Sequence, residues 1–465
     1  MKTNEISRRS FLKGLGAGSL LAAGSLLAGC RRTAEAVEDS HKSGPKQPEG
    51  SMTYRHNHNS GDDVSLLGYG MMRLPTIKGG SARDDNSGID QEAVNELVDY
   101  ALAHGVNYFD TSPVYCKGQS ERATGIALSR HPRDSYYLAT KLSNFSPSTR
   151  SRRESQKMFE ESLRELQTDY VDYLLLHSVG SSMDDLRERF FDNGMLTWLQ
   201  EQKEKGRIHN LGFSFHGDPA VFDFLLQMHD KGEAHWDFVQ IQHNYSDWHN
   251  PNGNGKRSEY LYTELERRDI PAVVMEPLLG GRLAKLPKHI MQALKAARPD
   301  DSVASWAFRF AGTQPGILTV LSGMTYMEHL QDNIRTYSPL DPCTEEEQQQ
   351  LFHLAELLSS YPLIPCTRCQ YCMPCPYGLD IPSIFAHYNT CVNEGNIATS
   401  TSDPEYARAR REFLVGYDRS VPKLRQASHC IGCGICLPHC PQQIDIPAQM
   451  IRIDTYVETL KQSQV

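Results

Sequence analysis

Tyr136-Tyr-Leu-Ala-Thr-Lys141, a charged amphipathic run over 150–166, and Val171-Asp-Tyr-Leu-Leu-Leu-His177 read as strand, helix and strand. Both apolar runs are short and nearly unbroken, as strands buried on both faces of a parallel sheet are. The same alternation continues in both directions. Val64 to Gly70, Asn107-Tyr-Phe-Asp-Thr111, Ile208-His-Asn-Leu-Gly-Phe-Ser214, Phe238-Val-Gln-Ile-Gln242, Pro271-Ala-Val-Val-Met275 and Ile317-Leu-Thr-Val-Leu321 are the other predicted strands. Helices are predicted over 91–104, 120–129, 150–166, 194–205, 219–228, 259–267, 303–310 and 328–334. Eight such units within residues 62–340 predict an α/β fold, a (β/α)8 TIM barrel with a helical coat. A doubly wound open sheet is the other arrangement of such units, but no G-x-G-x-x-G follows an early strand.

Polar residues end six of these strands: Asp110, Lys141, His177, Ser214, Gln242 and Glu276. Barrel active sites lie on that face, although one polar residue there is ordinarily a solvated rim. Asp110, Tyr115, Lys141 and His177 together do one job. An ammonium beside a tyrosine eases phenolate formation, and a carboxylate holds the ammonium in place. The tyrosine can then pass a proton to a carbonyl oxygen while a neutral histidine orients that oxygen.

Two cysteine runs follow. Cys430-Ile-Gly-Cys433-Gly-Ile-Cys436-Leu-Pro-His-Cys440-Pro441 has the C-x2-C-x2-C-x3-C-P spacing that wraps thiolates round a 4Fe–4S cube. Cys366-Thr-Arg-Cys369-Gln-Tyr-Cys372-Met-Pro-Cys375-Pro376 is nearly the same, with two residues before its last cysteine instead of three. Zinc ordinarily uses separated pairs, so four cysteines in one tight run suit it poorly. Two clusters are expected in a small, α-rich, ferredoxin-like domain over 341–465, entered through a helix at 344–359. The fourth cysteine of each run ligates the other cluster in two-cluster ferredoxins. That assigns Cys366, Cys369, Cys372 and Cys440 to one cluster and Cys430, Cys433, Cys436 and Cys375 to the other, with Cys391 an alternative to Cys375. Asp380-Ile-Pro382 and Asp445-Ile-Pro447 repeat at equivalent places, as duplication predicts. The stretch 384–421 between them reads as a helical insertion.

Residues 62–340 resemble an aldo-keto reductase. Gly105-Val-Asn-Tyr-Phe-Asp110-Thr-Ser-Pro-Val-Tyr115 is similar to that family's strand motif, and Ala139-Thr-Lys141 and Leu174-Leu-Leu-His177 to its lysine and histidine segments. Gly118-Gln-Ser-Glu121 is similar to the segment after the tyrosine. The resemblance implies that Asp110, Tyr115, Lys141 and His177 are catalytic and that the cofactor is NADP or NAD. It implies nucleotide contacts at Ser214, Gln242, Pro277, Leu278, Gly280, Gly323, Met324 and Asn333. Three departures stand out. Cys116 replaces a frequent glycine, Phe215-His216 follows Ser214, and no lysine or arginine occurs between Ser322 and Arg335 to grip a 2′-phosphate.

Ser7-Arg8-Arg9-Ser10-Phe11-Leu12-Lys13 with the apolar stretch 14–29 resembles a twin-arginine export signal, and Leu26-Leu-Ala-Gly-Cys30 a lipobox. Residues 1–30 are thus expected to direct export to the periplasmic face, with a lipid on Cys30 as the only membrane attachment. Residues 31–61, rich in Ser, Pro, Lys, Glu and His, read as a flexible tether. A formal net charge of −9 argues against a nucleic-acid partner. The expected function is interconversion of a small-molecule carbonyl and alcohol, coupled through the clusters to a redox partner protein. The other reading is an electron-transfer protein in which the barrel is a docking scaffold.

Overall fold

The computed structural model describes residues 52–83, 86–249, 257–398 and 400–463. The signal, the lipobox cysteine and most of the expected tether lie outside the described residues. From Met52 onward the chain is packed, so the tether ends earlier than the expected residue 61. Strands β1 (Tyr54–Asn57) and β2 (Asp62–Ser65) form an antiparallel hairpin. Its polar side chains made it read as linker, but they are spent on specific partners. Asn57 Nδ2 donates to Tyr173 Oη (3.2 Å), Asn59 Nδ2 to the carbonyl of Asp237 (2.9 Å) and Tyr173 Oη to Asp62 (2.7 Å). These partners lie where strands begin, so the hairpin caps the bottom of the barrel.

The barrel strands are β3 (Leu67–Gly70), β4 (Tyr108–Asp110), β5 (Tyr137–Leu142), β6 (Val171–Val179), β7 (Ile208–Phe215), β8 (Phe238–Gln242), β9 (Ala272–Met275) and β10 (Ile317–Ser322). They close in sequence order, β10 pairing β3, all parallel. Val64, Tyr108, Tyr137, Tyr173, Phe238 and Val273 are among the side chains that fill the interior. Each large apolar side chain withdrawn from water contributes about 1.5–3 kcal/mol, so this centre is a packed core rather than a pore.

The coat is formed by α1 (Gln91–Ala103), α2 (Ser120–Leu128), α3 (Arg152–Glu165), α4 (Met195–Glu204), α5 (Pro219–Asp230), α6 (Ser258–Glu266), α7 (Lys288–Ala297), α8 (Val303–Thr313) and α9 (Met327–Thr336). Helix α1 illustrates the local logic. The Asp90 side chain accepts from the amide of Ala93, and Val94, Leu97, Val98 and Ala101 form the helical stripe that is buried. Helix α7 falls in a stretch that read as a loop. Its buried face, Ile290, Ala293 and Leu294, is too short a stripe to stand out in the sequence.

Helix α10 (Glu345–Ser359) opens with a capping box between Thr344 and Glu347. It gives Leu351, Leu354, Ala355 and Leu358 to the barrel's own core, so the entry to the C-terminal domain is anchored on the barrel. Helices α11 (Ile381–Glu394), α12 (Tyr406–Ser420) and α13 (Ile446–Gln462) build a separate core around Ile384, Phe385, Phe413, Tyr417 and Ile453. Asp380 and Asp445 cap α11 and α13 alike, each with proline in the first turn. Among the described residues, no helix is long and apolar enough to cross a membrane.

Candidate active site

Asp110 ends β4, and Lys141 and His177 lie on β5 and β6, so neighbouring strands bring them together. Lys141 Nζ donates to Asp110 Oδ1 (2.5 Å) and to the carbonyl of Thr111 (2.9 Å). The two side chains are 0% and 3% exposed. Burial pulls the Lys141 ammonium below its usual range and pushes the Asp110 carboxyl up, while their mutual attraction opposes both. Tyr115 is held by a short turn after β4, with Lys141 Nζ 4.8 Å from its ring centroid. Burial, then the neighbouring Tyr371 and Asp110, hold its phenol well above 10. It is therefore a proton carrier at neutral pH.

Burial, then Lys141 and Arg189, press the His177 pKa well below 6.5, so its ring is neutral. Ser143 Oγ lies 2.5 Å from His177 Nδ1, and Ser112 Oγ is 3.0 Å from Ser143 Oγ. Neither serine was picked out from the sequence. The signal was period two: Ser112 follows Asp110 and Ser143 follows Lys141 by two residues, which keeps each pair on one face of extended chain.

His177 Nε2 faces a residue of the C-terminal domain. Tyr371 Oη lies 3.5 Å from it and is also hydrogen-bonded to Tyr115. Tyr371 sits between Cys369 and Cys372, so the first cysteine run packs directly on the tetrad. A cavity of about 930 Å³ opens beside it, with walls from both domains, among them Tyr115, Phe145, Arg189, Tyr371, Pro374 and Cys440.

The cysteines fall into two groups. Cys366, Cys369, Cys372 and Cys440 influence one another electrostatically, and Cys436 is likewise coupled to Cys433, Cys430 and Cys375. Burial pushes Cys366 and Cys436 each up to about 11. Thiols so placed become thiolates when positively charged iron offsets the repulsion. The amide of Arg368 donates to Cys366 Sγ (3.4 Å) and that of Ile444 to Cys440 Sγ (3.5 Å), the N–H···S bonds that tune an iron–sulfur group. These eight cysteines are the candidate ligands for iron–sulfur groups. Cys391 lies elsewhere, buried in α11 with its sulfur 3.5 Å from His387 Nε2.

The eight residues expected to contact a nucleotide have other partners. Ser214 Oγ accepts from the amide of Ser178 (2.7 Å), and Asn333 Nδ2 donates to Ser322 Oγ (2.9 Å). Tyr69 Oη donates to the carbonyl of Met324 (2.5 Å), Pro277 is buried, and the carbonyl of Leu278 accepts from the amides of Gly281 (3.0 Å) and Leu283 (3.1 Å). Gln242 donates to Asp247 (2.5 Å) and accepts from Gln442 of the C-terminal domain (3.0 Å). A Cβ on Gly280 would lie 2.2 Å from the carbonyl oxygen of Thr367, and one on Gly323 would lie 2.7 Å from Arg73 Cδ. Thr367 also hydrogen-bonds Glu276, whose carboxyl burial pushes up to about 7. None of the eight borders the cavity. With Thr367 seated there, these residues do not fit a nicotinamide nucleotide. His243 and Trp248 pack with Phe310 in the core.

Residues 66–351 match the model of the aldo/keto reductase family, so the chain belongs to that family. Residues 365–444 match a 4Fe-4S dicluster domain. An uncharacterized oxidoreductase of Bacillus subtilis is 24% identical over 322 residues, 62% of this chain and 92% of that protein. The L-galactose dehydrogenase of Arabidopsis thaliana is 26% identical over 301 residues, 61% of this chain and 87% of the other. Among solved structures, an aldo-keto reductase from Bacillus halodurans in its holo form superimposes with a TM-score of 0.52. It is 24% identical and covers 65% of this chain and 96% of its own. That likeness confirms the barrel fold.

Proposed function

We propose that this oxidoreductase interconverts a carbonyl and an alcohol at Tyr115, and exchanges the electrons with a redox partner protein through its iron–sulfur domain. The observation that carries the reading is the buried Lys141–Asp110 pair set against Tyr115, with neutral His177 facing the same point. Reduction adds two electrons, passed singly from the partner protein through the iron–sulfur domain, and two protons, of which carbon would take one from solvent in the cavity and oxygen the other from Tyr115. Tyr115 gives the oxygen its proton and recovers it in the reverse direction. The ammonium of Lys141 supports the phenolate, and Asp110 fixes the ammonium. In the tautomer in which Ser143 donates to Nδ1, His177 would present Nε2–H to the carbonyl oxygen. Each 4Fe–4S group bound by the two cysteine sets holds or releases one electron.

Tyr115→Phe tests the reading. With an artificial one-electron dye as partner, turnover should fall at least ~100-fold, the usual worth of a positioned acid, while iron content stays constant. Unchanged turnover would leave electron transfer over a barrel scaffold as the function. Tyr371 favours that second reading on one point, because its hydroxyl bridges Tyr115 and His177. The export signal at Arg8-Arg9 and a lipid on Cys30 complete the proposal. They would place the protein at the periplasmic face.

A further inference from the structure

The barrel has a mouth that the sequence assigns to a dinucleotide and the structure fills with its own chain. We propose that the segment Cys366–Tyr371 is the resident occupant of the nicotinamide nucleotide's place, so that this protein takes no exchangeable nicotinamide nucleotide. The proposal rests on the reading of 365–444 as an iron–sulfur domain, and not on the carbonyl chemistry.

Four contacts carry it, from independent parts of the chain. Gly280 has φ +68°, and its Cα faces the Thr367 backbone so closely that a Cβ would be 2.2 Å from the carbonyl oxygen. A backbone approach of that kind requires glycine, so the glycine expected to contact a nucleotide is used to admit a segment of the chain itself. Gln242, expected to contact the nucleotide, accepts instead from the carboxamide of Gln442 at 3.0 Å. Arg73 reaches across Gly323 and donates to the carbonyl of Thr367 at 3.5 Å. Tyr371 completes the set, its hydroxyl between Tyr115 and His177, where a carbonyl oxygen would be held.

The substitution is thus chemical as well as steric. A carboxamide meets a carboxamide, and a peptide backbone lies against the Gly-rich turn. The cavity beside Tyr115 is bordered by Cys369 and Cys440, and by none of the eight nucleotide positions. The redox group next to Tyr115 is then the one that Cys366, Cys369, Cys372 and Cys440 would hold.

The test uses the full, anaerobically purified chain with its clusters. NADH and NADPH are each titrated against intrinsic fluorescence, and hydrogen exchange of 276–283 is followed with and without nucleotide. The expected result is no saturable binding up to about 1 mM, at least a thousandfold weaker than a micromolar site. Exchange of 276–283 should be slow and the same in both conditions. Saturable binding near one per chain would overturn the proposal. So would fast exchange of 276–283 without nucleotide, because the segment would then not be seated. Neither result depends on Tyr115→Phe, so this inference and the carbonyl reading can fail separately.

Discussion

Removing the charge of Asp110 strands a buried ammonium. Asp110→Asn preserves shape and hydrogen-bonding reach, yet leaves the Lys141 ammonium, whose side chain is 0% exposed, without the carboxylate charge it pairs with. Breaking a buried pair from one side costs about 3–5 kcal/mol, because the remaining charge stays desolvated. At roughly 2 °C per kcal/mol for a large domain, the barrel's unfolding midpoint should fall by about 6–10 °C. Lys141→Met strands the carboxylate and should cost a similar amount. The double variant removes both charges and should lose less than the sum of the two, with a coupling of about 2–3 kcal/mol. Far-ultraviolet circular dichroism of the four proteins through thermal unfolding reads the cycle. Single losses below about 1 kcal/mol, or strict additivity, would refute the view that these residues form one electrostatic unit.

Glu121 gives a pH signature. Burial raises its carboxyl to about 7 from 4.5, although Thr140 (2.5 Å) and Ser162 (3.1 Å) donate to it. Its folded pKa exceeds its unfolded one, so its contribution is fully present below about 4.5 and is lost as pH rises through 7. Denaturation at pH 4.5 and 8 should differ by up to about 3 kcal/mol from this group, and Glu121→Gln should remove that share; an unchanged slope rejects the assignment. His243 is buried with no hydrogen-bond partner on either ring nitrogen and a ring stacked 5.4 Å from Phe310. His243→Phe should leave stability unchanged or raise it by about 1 kcal/mol, since an unmet polar group is removed, and a loss above that size in urea unfolding would show that the ring is paired. Iron and labile sulfide should fall in Cys375→Ser and stay constant in Cys391→Ser, and the reverse pattern would make Cys391 the ligand.

The barrel was legible because each strand is a short apolar run bounded by turn residues, and each coat helix repeats its apolar face at the helical period. Helix α7 was not, since three buried residues among lysines and alanines resemble a loop. The hairpin β1–β2 was not, because its stabilisation comes from Tyr173 and Asp237, far along the chain. Asp110, Lys141 and His177 could be found because each lies on a strand at the same end. Tyr371 could not, for its contact with His177 spans 194 residues. Gly280 was read as a nucleotide contact because sequence records the freedom of a backbone and not what comes to rest against it.

The hairpin also gives the molecule a direction. The described chain enters at Met52, whose Cβ would lie 3.0 Å from a Cβ on Gly105, on the face where the strands begin. The cysteine runs cover the face where they end. A strand of five or six residues spans roughly 17–20 Å, so the entry and the redox face are separated by at least that height. The cysteine-bearing cap therefore lies at the opposite end of the barrel from Met52, and a redox partner would dock on that end without meeting the hairpin.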